Sequence, residues 1–488
     1  MQRRHFLRSL GLLSAIPVVP ATAMANAGAG IHAGSTITGK VTAQGKGIGN
    51  VVISDGFNVT KTDASGKYSL IAHDQAQFVF ISLPSGYAIP NEKGIARFYE
   101  RIKRGTAGQV VDFPLTKLAV TDDKHAFIVW GDTQILDKED ANKLKTTAAP
   151  DTRDLVKELG NVPIHGIGCG DLVFDHFELF PDYKEAVATT GIPFFQVIGN
   201  HDINYEARSD EQSANTFHQH FGPAYYSFNR GKIHYIVLDN VFYIGAHRYI
   251  GYLHDNQLAW LEKDLQTVPA GSTVVVSLHI PLDDSLKGAR KNGKDAGTSN
   301  RDSLFNLMKP YKVHFMTGHT HFNVNWVEGN MMEHNHGTVC GAWWSGPICG
   351  DGTPCGYGVY EVNGEEIKWY YKSTGFPKTK QHIIFKKGEV SAKPDAVVAN
   401  VWNWDPQWKV EWQEDGNDKG VMEQIVGFDP EAFKLYKGGT LPVRHTWVEP
   451  IETDHLFAAV PSASAKSITV KVTDRFGNVY TEKLDLAL

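Results

Sequence analysis

The sequence predicts an α/β core with a small antiparallel β-sandwich before it and a second one after it. The chain has 488 residues, of which 42% are hydrophobic, and this is enough to fill several separate cores. Short alternating segments separated by turn residues occupy both outer regions. Between them, nearly continuous apolar segments alternate with segments of helical periodicity, which is typical of an α/β fold.

The composition excludes several classes of protein. The 48 Lys and Arg residues are balanced by 54 Asp and Glu residues, and the net charge of −6 disfavours a nucleic-acid-binding protein. The 47 glycines and 22 prolines fit neither a collagen nor a disordered tail, and long apolar stretches that would span a membrane repeatedly are missing from the sequence. We therefore expect a soluble globular protein rich in strands and turns.

The first 25 residues resemble a twin-arginine (Tat) export signal. Arg3 and Arg4 precede an apolar stretch that ends near Val19, and Ala23-Met24-Ala25 provides the small residues of a cleavage site. We expect residues 1–25 to be removed and the mature chain to reside in the periplasm without an integral membrane segment. The alternative is an uncleaved membrane anchor.

Residues 35–118 are predicted to form the first β-sandwich. Apolar residues alternate with polar ones in Ile37–Val41 and Lys67–Leu70, and turn dipeptides separate such segments. The segment Thr62–Tyr68 resembles the carboxypeptidase-regulatory type of β-sandwich. Modules of this type act as spacers or docking surfaces more often than as enzymes.

Residues 376–488 are predicted to form the second β-sandwich, because alternation returns there, for example in Ser467–Thr473. The tryptophans Trp402, Trp404 and Trp408 allow two interpretations. They are either part of the core of this sandwich or a platform on which a glycan stacks.

Residues 122–375 are predicted to form the α/β domain. Strands that are apolar on both faces and are separated by helices indicate a sheet covered by helices on each side. The predicted strands are 126–130, 164–168, 194–198, 234–238 and 274–278, and the clearest predicted helices are 151–159 and 256–265.

Polar residues with ligand chemistry follow these strands. Loops at the carboxyl ends of strands in an open α/β sheet converge on one crevice, so we expect these side chains to meet in space. A single Gly-Asp or His-x-His is weak evidence, but five such motifs in order are a strong signal. The residues are Asp132, Gln134, Asp171, Asn200, His201, His279, His319 and His321.

The order of these motifs resembles that of the calcineurin-like metallophosphoesterase superfamily, D-x-H, G-D, G-N-H-[DE], H and G-H-x-H, over most of Asp132 to His321. The resemblance implies a four-layer α/β–β core, in which two mixed β-sheets are flanked by helices. The two outer sandwiches resemble the accessory domains of exported bacterial members. The sequence is therefore identified as a member of this family, of the exported bacterial type.

The resemblance implies two divalent metal ions and does not decide whether they are manganese, iron, zinc or magnesium. One metal ion would be held by Asp132, Asp171 and His321, with Gln134 nearby. The other would be held by Asp171 together with Asn200, His279 and His319. Two metals close together need a bridging carboxylate, for which Asp171 is the natural candidate, and a hydroxide between them would attack phosphorus in line with the leaving group.

Two residues next to the ligands have implied roles in catalysis. His201 would stabilise the transferring phosphoryl group or protonate the leaving oxygen, which suits a side chain that titrates near neutrality. Asp175 would orient His201, or it is simply a solvated aspartate at the start of a helix.

The sequence departs from the family pattern at Gln134, where many members carry histidine. An amide oxygen is a poorer ligand than imidazole, so metal affinity at this position is open. Purple acid phosphatases carry tyrosine three positions after the bridging aspartate. Phe174 stands there in this chain, which disfavours that branch.

Three further residues are candidates for substrate binding. Trp343 and Trp344 either stack on a substrate or pack against the sheet. Arg290 lies in a glycine-flanked basic stretch that is either a cationic lid over a phosphate or a solvated loop. Cys349 and Cys355 could close a small disulfide loop, whereas Cys169 is expected to be a buried thiol.

The sequence thus predicts an exported phosphoesterase that hydrolyses a phosphate monoester or diester of a small molecule, lipid or glycan. The alternative is a surface glycan-binding or scaffolding protein on the same fold with impaired catalysis, and Gln134 is the feature that distinguishes the two. The oligomeric state is not predicted.

Overall fold

The computed structural model describes residues 35–105, 108–282, 297–442 and 444–486. The predicted export signal, residues 1–25, and Arg290 lie outside these ranges. Within them, no helix combines the length and the apolar character that crossing a bilayer requires.

The first region contains two small β-sheets that pack on one another. One sheet has the order β10-β1-β11, with β2 and β5 also paired to β1, and the other has the order β4-β3-β6-β9. The alternation of apolar and polar residues places the apolar side chains in the interior, as predicted: Ile37 and Val41 on β1 are fully buried, whereas the residues next to them are not. The strands of this region are β1 (Thr36–Ala43), β2 (Lys46–Gly47), β3 (Val52–Ser54), β4 (Val59–Lys61), β5 (Lys67–Ile71), β6 (Phe78–Ser82), β7 (Asn91–Glu92), β8 (Ile95–Ala96), β9 (Tyr99–Arg101), β10 (Gly108–Val110) and β11 (Phe113–Leu115).

The central region alternates strands and helices, as predicted. Its strands are β12 (Lys124–Trp130), β13 (Ile164–Cys169), β14 (Phe194–Val197), β15 (Tyr226–Arg230), β16 (Ile233–Val237), β17 (Val241–Gly245), β18 (Arg248–Gly251), β19 (Thr273–Ser277), β20 (Lys312–Thr317), β21 (Val324–Glu328), β22 (Met331–Asn335), β23 (Gly356–Asn363) and β24 (Glu366–Ser373). Its helices are α1 (Lys138–Thr146), α2 (Ala148–Leu159), α3 (Phe180–Thr190), α4 (Asp210–Ser213), α5 (Asn215–Phe221), α6 (Asp255–Leu265) and α7 (Arg301–Met308), with a 3₁₀ turn at Phe177–Leu179.

These strands form two mixed sheets, apart from β17 and β18, which pair with one another as a separate two-stranded sheet. The seven-stranded sheet has the order β24-β23-β12-β13-β14-β8-β7, and β12, β13 and β14 run parallel. The six-stranded sheet has the order β15-β16-β19-β20-β22-β21, and β16, β19 and β20 run parallel. Because the strands of each set run parallel, their carboxyl ends lie at the same edge of the sheet.

The two sheets pack face to face. Phe195 on β14 stacks on Phe228 on β15 with ring centroids 3.7 Å apart, and Phe127 on β12 meets Tyr235 on β16 edge-on at 5.4 Å. The opposite face of the seven-stranded sheet is buried under α1 to α3. The local pattern predicted helices on both faces of a sheet; here helices cover one face and the partner sheet covers the other. Helix α7 packs on the six-stranded sheet, where Phe305 meets Phe315 of β20 at 5.8 Å, and this completes the predicted four-layer α/β–β arrangement.

One short segment of the predicted first sandwich contributes to the core. In β8, Ile95 pairs in parallel with Phe194 of β14, so β7 and β8 extend the seven-stranded sheet. Neither strand belongs to the two sandwich sheets. The first sandwich is thereby attached to the core through the backbone as well as through side chains.

The last region is a second sandwich of two four-stranded sheets, with the orders β25-β26-β30-β29 and β28-β27-β31-β32. Trp402 and Trp408 are buried, and Trp408 belongs to the core, which favours the core interpretation of these two tryptophans. The elements are β25 (His382–Phe385), β26 (Val397–Val401), β27 (Lys409–Glu414), β28 (Asn417–Val421), β29 (Glu423–Phe428), α8 (Pro430–Lys437), β30 (Glu452–Ala459), β31 (Ser467–Thr473) and β32 (Val479–Asp485).

Buried polar contacts attach this second sandwich to the core. His455 Nε2 on β30 lies 3.1 Å from Oδ2 of Asp351, and Nδ2 of Asn400 on β26 donates to the Asp351 carbonyl at 2.9 Å. Asp351, His455 and Asn400 are all buried. Because buried polar groups are costly to leave unpaired, these contacts fix the orientation of the sandwich.

Candidate metal centre

The seven predicted metal ligands follow strands of both sheets. In the seven-stranded sheet, Asp132 and Gln134 follow β12, Asp171 follows β13 and Asn200 follows β14. In the six-stranded sheet, His279 follows β19, and His319 and His321 follow β20. The structure brings all seven together where the parallel strands of the two sheets end, as expected for an α/β crevice.

The carboxylate of Asp171 lies at the centre of the cluster. Its Oδ2 atom is 3.3 Å from Nε2 of Gln134 and 3.3 Å from Nε2 of His279. His279 Nε2 is also 3.2 Å from Oδ1 of Asn200. Donor atoms of Asp171, His279 and His319 all lie within 4.8 Å of one another, so a single cation could contact all three.

Asp132 is the second buried carboxylate. Its Oδ1 atom is 3.5 Å from Nε2 of His321, and both of its oxygens accept from the backbone N–H of His319, at 3.1 and 2.9 Å. The Nδ1 atom of His321 faces the carbonyl of Gly341 at 2.8 Å. This contact fixes the ring so that Nε2 points toward Asp132, an arrangement common for metal-binding histidines.

The backbone of the cluster is strained. Asp132, Gln134, Asp171, His319 and His321 all have positive φ angles, between 36° and 71°. Residues other than glycine avoid this region because the Cβ atom is crowded, at a cost of order 1–3 kcal/mol each. Strain of this kind persists where the surrounding structure imposes it, and it is concentrated at functional sites.

Two glycines make room for the carboxylates. A Cβ atom on Gly199 would lie 2.0 Å from the backbone nitrogen of Asp171 and 2.2 Å from its Oδ1. A Cβ atom on Gly318 would lie 2.4 Å from Oδ2 of Asp132. Any larger residue at either position would displace a carboxylate, so both glycines are required for the close packing of the cluster.

The electrostatics of the cluster are dominated by Asp171. Burial disfavours the charged form of His279, but the charge and hydrogen bond of Asp171, the charge of Asp132 and the carbonyl of Cys169 together outweigh burial and raise the pKa of His279 to about 9. Burial likewise opposes ionisation of Asp171, yet His279 and His201 lower its pKa overall. Burial lowers the pKa of His319 to about 3, and the neighbouring His279 adds to this effect. Asp171 is therefore held as a carboxylate.

The donor set fits divalent metal ions. Two carboxylates, two side-chain amides and three imidazoles offer oxygen and nitrogen donors of the kind that manganese, iron, zinc and magnesium accept. Oε1 of Gln134 is buried and has no hydrogen-bond partner among the described residues. Because an unpaired buried oxygen is costly, a cation next to Gln134 would satisfy it.

His201 lies beside the cluster. Its backbone N–H donates to Oδ1 of Asp171 at 2.8 Å, and its Nδ1 lies 2.8 Å from Oδ1 of Asp175. Burial lowers the pKa of His201, but Asp171 and Asp175 together outweigh burial and raise it above the ordinary value. Phe174 stacks on the imidazole at 4.3 Å. This geometry orients Nε2 away from Asp175 and favours the protonated ring.

Comparison with known families agrees with the geometry. The model described as "Calcineurin-like phosphoesterase" matches residues 121–323. Models for the N terminal and the C terminal of calcineurin-like phosphoesterase match residues 35–118 and 333–480. The chain belongs to the calcineurin-like phosphoesterases. It is therefore a metal-dependent phosphoric ester hydrolase, and the family resemblance inferred from the motifs is confirmed.

The solved structures to which this phosphoesterase is similar have little sequence identity to it. A purple acid phosphatase from yellow lupin seeds is 11% identical, with 67% of each chain covered and a TM-score of 0.37. An anchor protein of the inner membrane complex of Plasmodium is 14% identical, with 51% of this chain and 84% of that chain covered and a TM-score of 0.36. A 5'-nucleotidase from Candida albicans is 12% identical, with 52% of each chain covered and a TM-score of 0.32. No curated protein matches the chain.

The two tryptophans predicted for substrate binding have different positions in this phosphoesterase. Trp343 stacks on the ring of His321, with centroids 3.9 Å apart, and is half-buried. Trp344 donates from Nε1 to the carbonyl of Thr133 at 3.0 Å and packs against the core. Trp343 is thus at the site, whereas Trp344 supports the loop that carries Gln134. Arg290, the third predicted substrate residue, lies outside the described residues.

Sequence reasoning missed two supporting side chains. Asp202 is buried, and its carboxylate accepts from the backbone N–H groups of Leu172 and Gly199 at 2.9 to 3.1 Å. Burial and the nearby charge of Asp171 raise the pKa of Asp202 to about 8. Oδ1 of Asn240 accepts from the N–H of His279 at 3.1 Å. Asp202 is the last residue of the quoted G-N-H-[DE] motif, so a signal was available for it; Asn240 had none.

All four cysteines are free thiols in the structure, including Cys349 and Cys355. Cys169 is buried, as expected, and contacts two backbone carbonyls. The sequence alone did not decide whether Cys349 and Cys355 form a disulfide.

Proposed function

We propose that this phosphoesterase is exported and uses two divalent cations to hydrolyse a phosphate monoester or diester. The observation that carries the proposal is the position of the Asp171 carboxylate. Its Oδ2 atom lies 3.3 Å from Nε2 of Gln134 and 3.3 Å from Nε2 of His279, which belong to the two predicted groups of ligands. A carboxylate shared by two groups of donors is what a pair of cations requires.

The residues divide into two groups around Asp171. Asp132, Gln134 and His321 would hold one cation together with Asp171, and Asn200, His279 and His319 would hold the other. Two bound divalent cations would supply positive charge to the phosphoryl oxygens and lower the pKa of a water molecule at the site. The hydrogen bonds of His319 N–H to Asp132 and of His201 N–H to Asp171 orient the two carboxylates.

His201 acts on the leaving group in this proposal. Asp175 holds the imidazole at Nδ1, so the proton on Nε2 faces away from Asp175 and is available to the leaving oxygen. Asp171 and Asp175 raise the pKa of His201, which favours retention of this proton. A positioned acid of this kind contributes about 10²- to 10⁴-fold to the rate.

Elemental analysis and turnover test the catalytic proposal. The purified full chain is expected to hold approximately two metals and to hydrolyse mono- or bis-nitrophenyl phosphate, and Asp171→Asn is expected to lose both metal and turnover. Asp454→Asn, which changes an exposed carboxylate of the second sandwich, is the control. Inactive protein that gains no turnover with manganese, iron, zinc or magnesium would instead favour the scaffolding alternative.

Export is proposed from Arg3 and Arg4 in the sequence. Replacing both with lysine is expected to leave the protein in the cytoplasm, whereas the unchanged chain reaches the periplasm. Fractionation of bacterial cells followed by immunodetection measures this. Equal periplasmic amounts of both proteins would contradict it. The substrate would then be a phosphorylated small molecule, lipid or glycan accessible in that compartment.

A further inference from the structure

A continuous series of aromatic rings links His201 to the metal-ligand candidate His321. Phe174 stacks on His201 at 4.3 Å and faces His445 at 6.4 Å. His445 contacts Trp447 at 5.2 Å, and Trp447 meets Trp343 at 4.7 Å. Trp343 then stacks on His321 at 3.9 Å. We call Phe174, Trp343, His445 and Trp447 the aromatic wall.

The aromatic wall comes from three separate parts of the chain. Phe174 lies between β13 and α3 and Trp343 between β22 and β23, whereas His445 and Trp447 belong to the region of the second sandwich. The wall therefore forms only when the last region is docked on the core. Its two ends stack on imidazoles of the candidate site, so it borders the place where a phosphoryl group would bind.

Trp447 is the exposed member of the wall. It has 54% of its surface accessible, although His445 beside it is buried. Its ring is tilted by 63° to Trp343 and by 52° to His445, so it is not stacked on either neighbour. An exposed indole next to reacting groups is a typical feature of a ligand pocket, because an aromatic ring gains from contact with another flat ring.

A pair of ion contacts anchors the segment that carries Trp447. Nη2 of Arg444 is 2.6 Å from Oδ2 of Asp140 on α1 and 2.8 Å from Oδ2 of Asp137, the N-cap of the same helix. Asp140 is buried, and the Arg444 side chain is 19% exposed. A paired, largely buried guanidinium holds its position more firmly than a surface ion pair does.

From these contacts we propose that the aromatic wall is a subsite for the leaving group and selects phosphoesters whose leaving group carries a planar aromatic ring. This inference rests on the proposed function, since it places the phosphoryl group at Asp171 and His201. Trp447 and Trp343 would contact the ring directly. Arg444 would be a positioning residue that acts through Trp447.

Matched ring substrates test the selectivity. Benzyl and cyclohexylmethyl phosphate esters have leaving groups of similar acidity, but only the benzyl ring is flat. If the protein hydrolyses mono-nitrophenyl phosphate, both are used as monoesters; if it hydrolyses bis-nitrophenyl phosphate, both are used as methyl diesters. For the metal-loaded full chain, kcat/KM is expected to be about tenfold higher for the benzyl ester, as one aromatic contact of about 1 to 1.5 kcal/mol provides. Equal values for the two esters would overturn the proposal.

Trp447→Ala is expected to remove this preference. It should raise KM for the benzyl ester about tenfold with little change in kcat, and it should raise KM for the cyclohexylmethyl ester much less, because the puckered ring makes a weaker contact with the indole. Phe376→Ala, which removes an aromatic side chain that is 48% exposed outside the wall, is the control and should change neither ester. An equal loss on both esters would contradict a ring-specific subsite.

Variants of Arg444 test whether this residue positions Trp447 or has a merely structural role. Arg444→Gln is expected to raise KM for the benzyl ester without changing kcat, and Arg444→Lys to recover part of the preference because it keeps the charge opposite Asp140. A fall in kcat for both esters with unchanged KM would contradict the positioning role.

Binding of benzylphosphonate and methylphosphonate, measured by calorimetry, separates this inference from the proposed function. Tighter binding of benzylphosphonate that depends on Trp447 supports the aromatic wall even if no ester is hydrolysed. Hydrolysis of both esters together with equal binding of both phosphonates overturns the wall and leaves the proposed function standing.

Discussion

The Nδ1 atom of His201 lies 2.8 Å from Oδ1 of Asp175, and this contact joins two loops that follow different strands. His201 follows β14, whereas Asp175 follows β13. Asp175 has a positive φ of 63°, so its backbone is strained in the conformation that brings the carboxylate to the imidazole. This favours an orienting role for Asp175 over that of a solvated aspartate at a helix start.

The first prediction concerns the pH dependence of turnover in Asp175→Asn. Asp175 is one of the groups that raise the pKa of His201. If protonated His201 is the active form, kcat falls as pH rises through this pKa. Removing the carboxylate lowers the pKa, so the basic limb of the pH profile should move to lower pH, with kcat reduced about tenfold at neutral pH.

The control for this variant is Glu178→Gln, which changes an exposed carboxylate that contacts His176 rather than His201. It should leave the basic limb in place. A profile of Asp175→Asn that keeps the wild-type basic limb while kcat falls would show that Asp175 does not act through the proton on His201.

The second prediction concerns metal binding at Gln134. Its unpaired Oε1 is the atom expected to contact a cation. Gln134→Ala should weaken one of two metal sites by more than the roughly tenfold that loss of a supporting contact costs. Gln134→His should restore two metals because imidazole is a good donor. Elemental analysis after dialysis measures both, and two tightly held metals in Gln134→Ala would show that Gln134 is not a ligand.

The sequence alone predicted five strands of the core and the residues that gather at the ends of the core strands. Apolar runs such as Val274–Val276 can be buried on both faces, and chain order then places Asp132, Asp171 and Asn200 after the successive strands β12, β13 and β14. Both features are local, so they are visible in one sequence. The roles of the predicted ligands remain predictions, although the structure brings their side chains together.

Contacts between distant segments could not be predicted in this way. Nothing near Trp447 in the sequence indicates that it meets Trp343, because that contact depends on how the second sandwich docks on the core. The same holds for β8, which pairs with β14 although it lies within a region of alternating sandwich strands. The sequence also did not show whether a helix or a second sheet covers an apolar face of the core sheet, because either one buries the same residues.

The third prediction is that Gly199→Ala disrupts the metal centre. The backbone of Gly199 does not have a positive φ, so alanine fits the conformation, but its Cβ would lie 2.0 Å from the nitrogen of Asp171. Asp171 must then move, and we expect loss of metal and destabilisation of about 1–3 kcal/mol. Gly439→Ala is the control, since a Cβ there meets nothing within 4 Å. Full metal content in Gly199→Ala would contradict the expected displacement.

The fourth prediction concerns stability and Asp429, the N-cap of α8. Its Oδ1 accepts from the N–H groups of Glu431 and Ala432, both at 2.9 Å, and its Oδ2 accepts from Nδ2 of Asn400 at 2.8 Å. Burial raises the pKa of Asp429 from 3.8 to about 6 despite these hydrogen bonds. Between these two values the folded state binds a proton that the unfolded state has released.

The sign of the effect follows from proton binding. Because the folded state binds more protons in this range, stability falls as pH rises from about 4 through 6, by on the order of 2 kcal/mol. Asp429→Asn and Asp429→Ser cannot ionise, and serine also preserves the helix cap. The melting temperature of wild type minus that of either variant should therefore decrease as pH rises from 4 to 7. A difference that stays constant over this range would show that the Asp429 proton is not linked to folding.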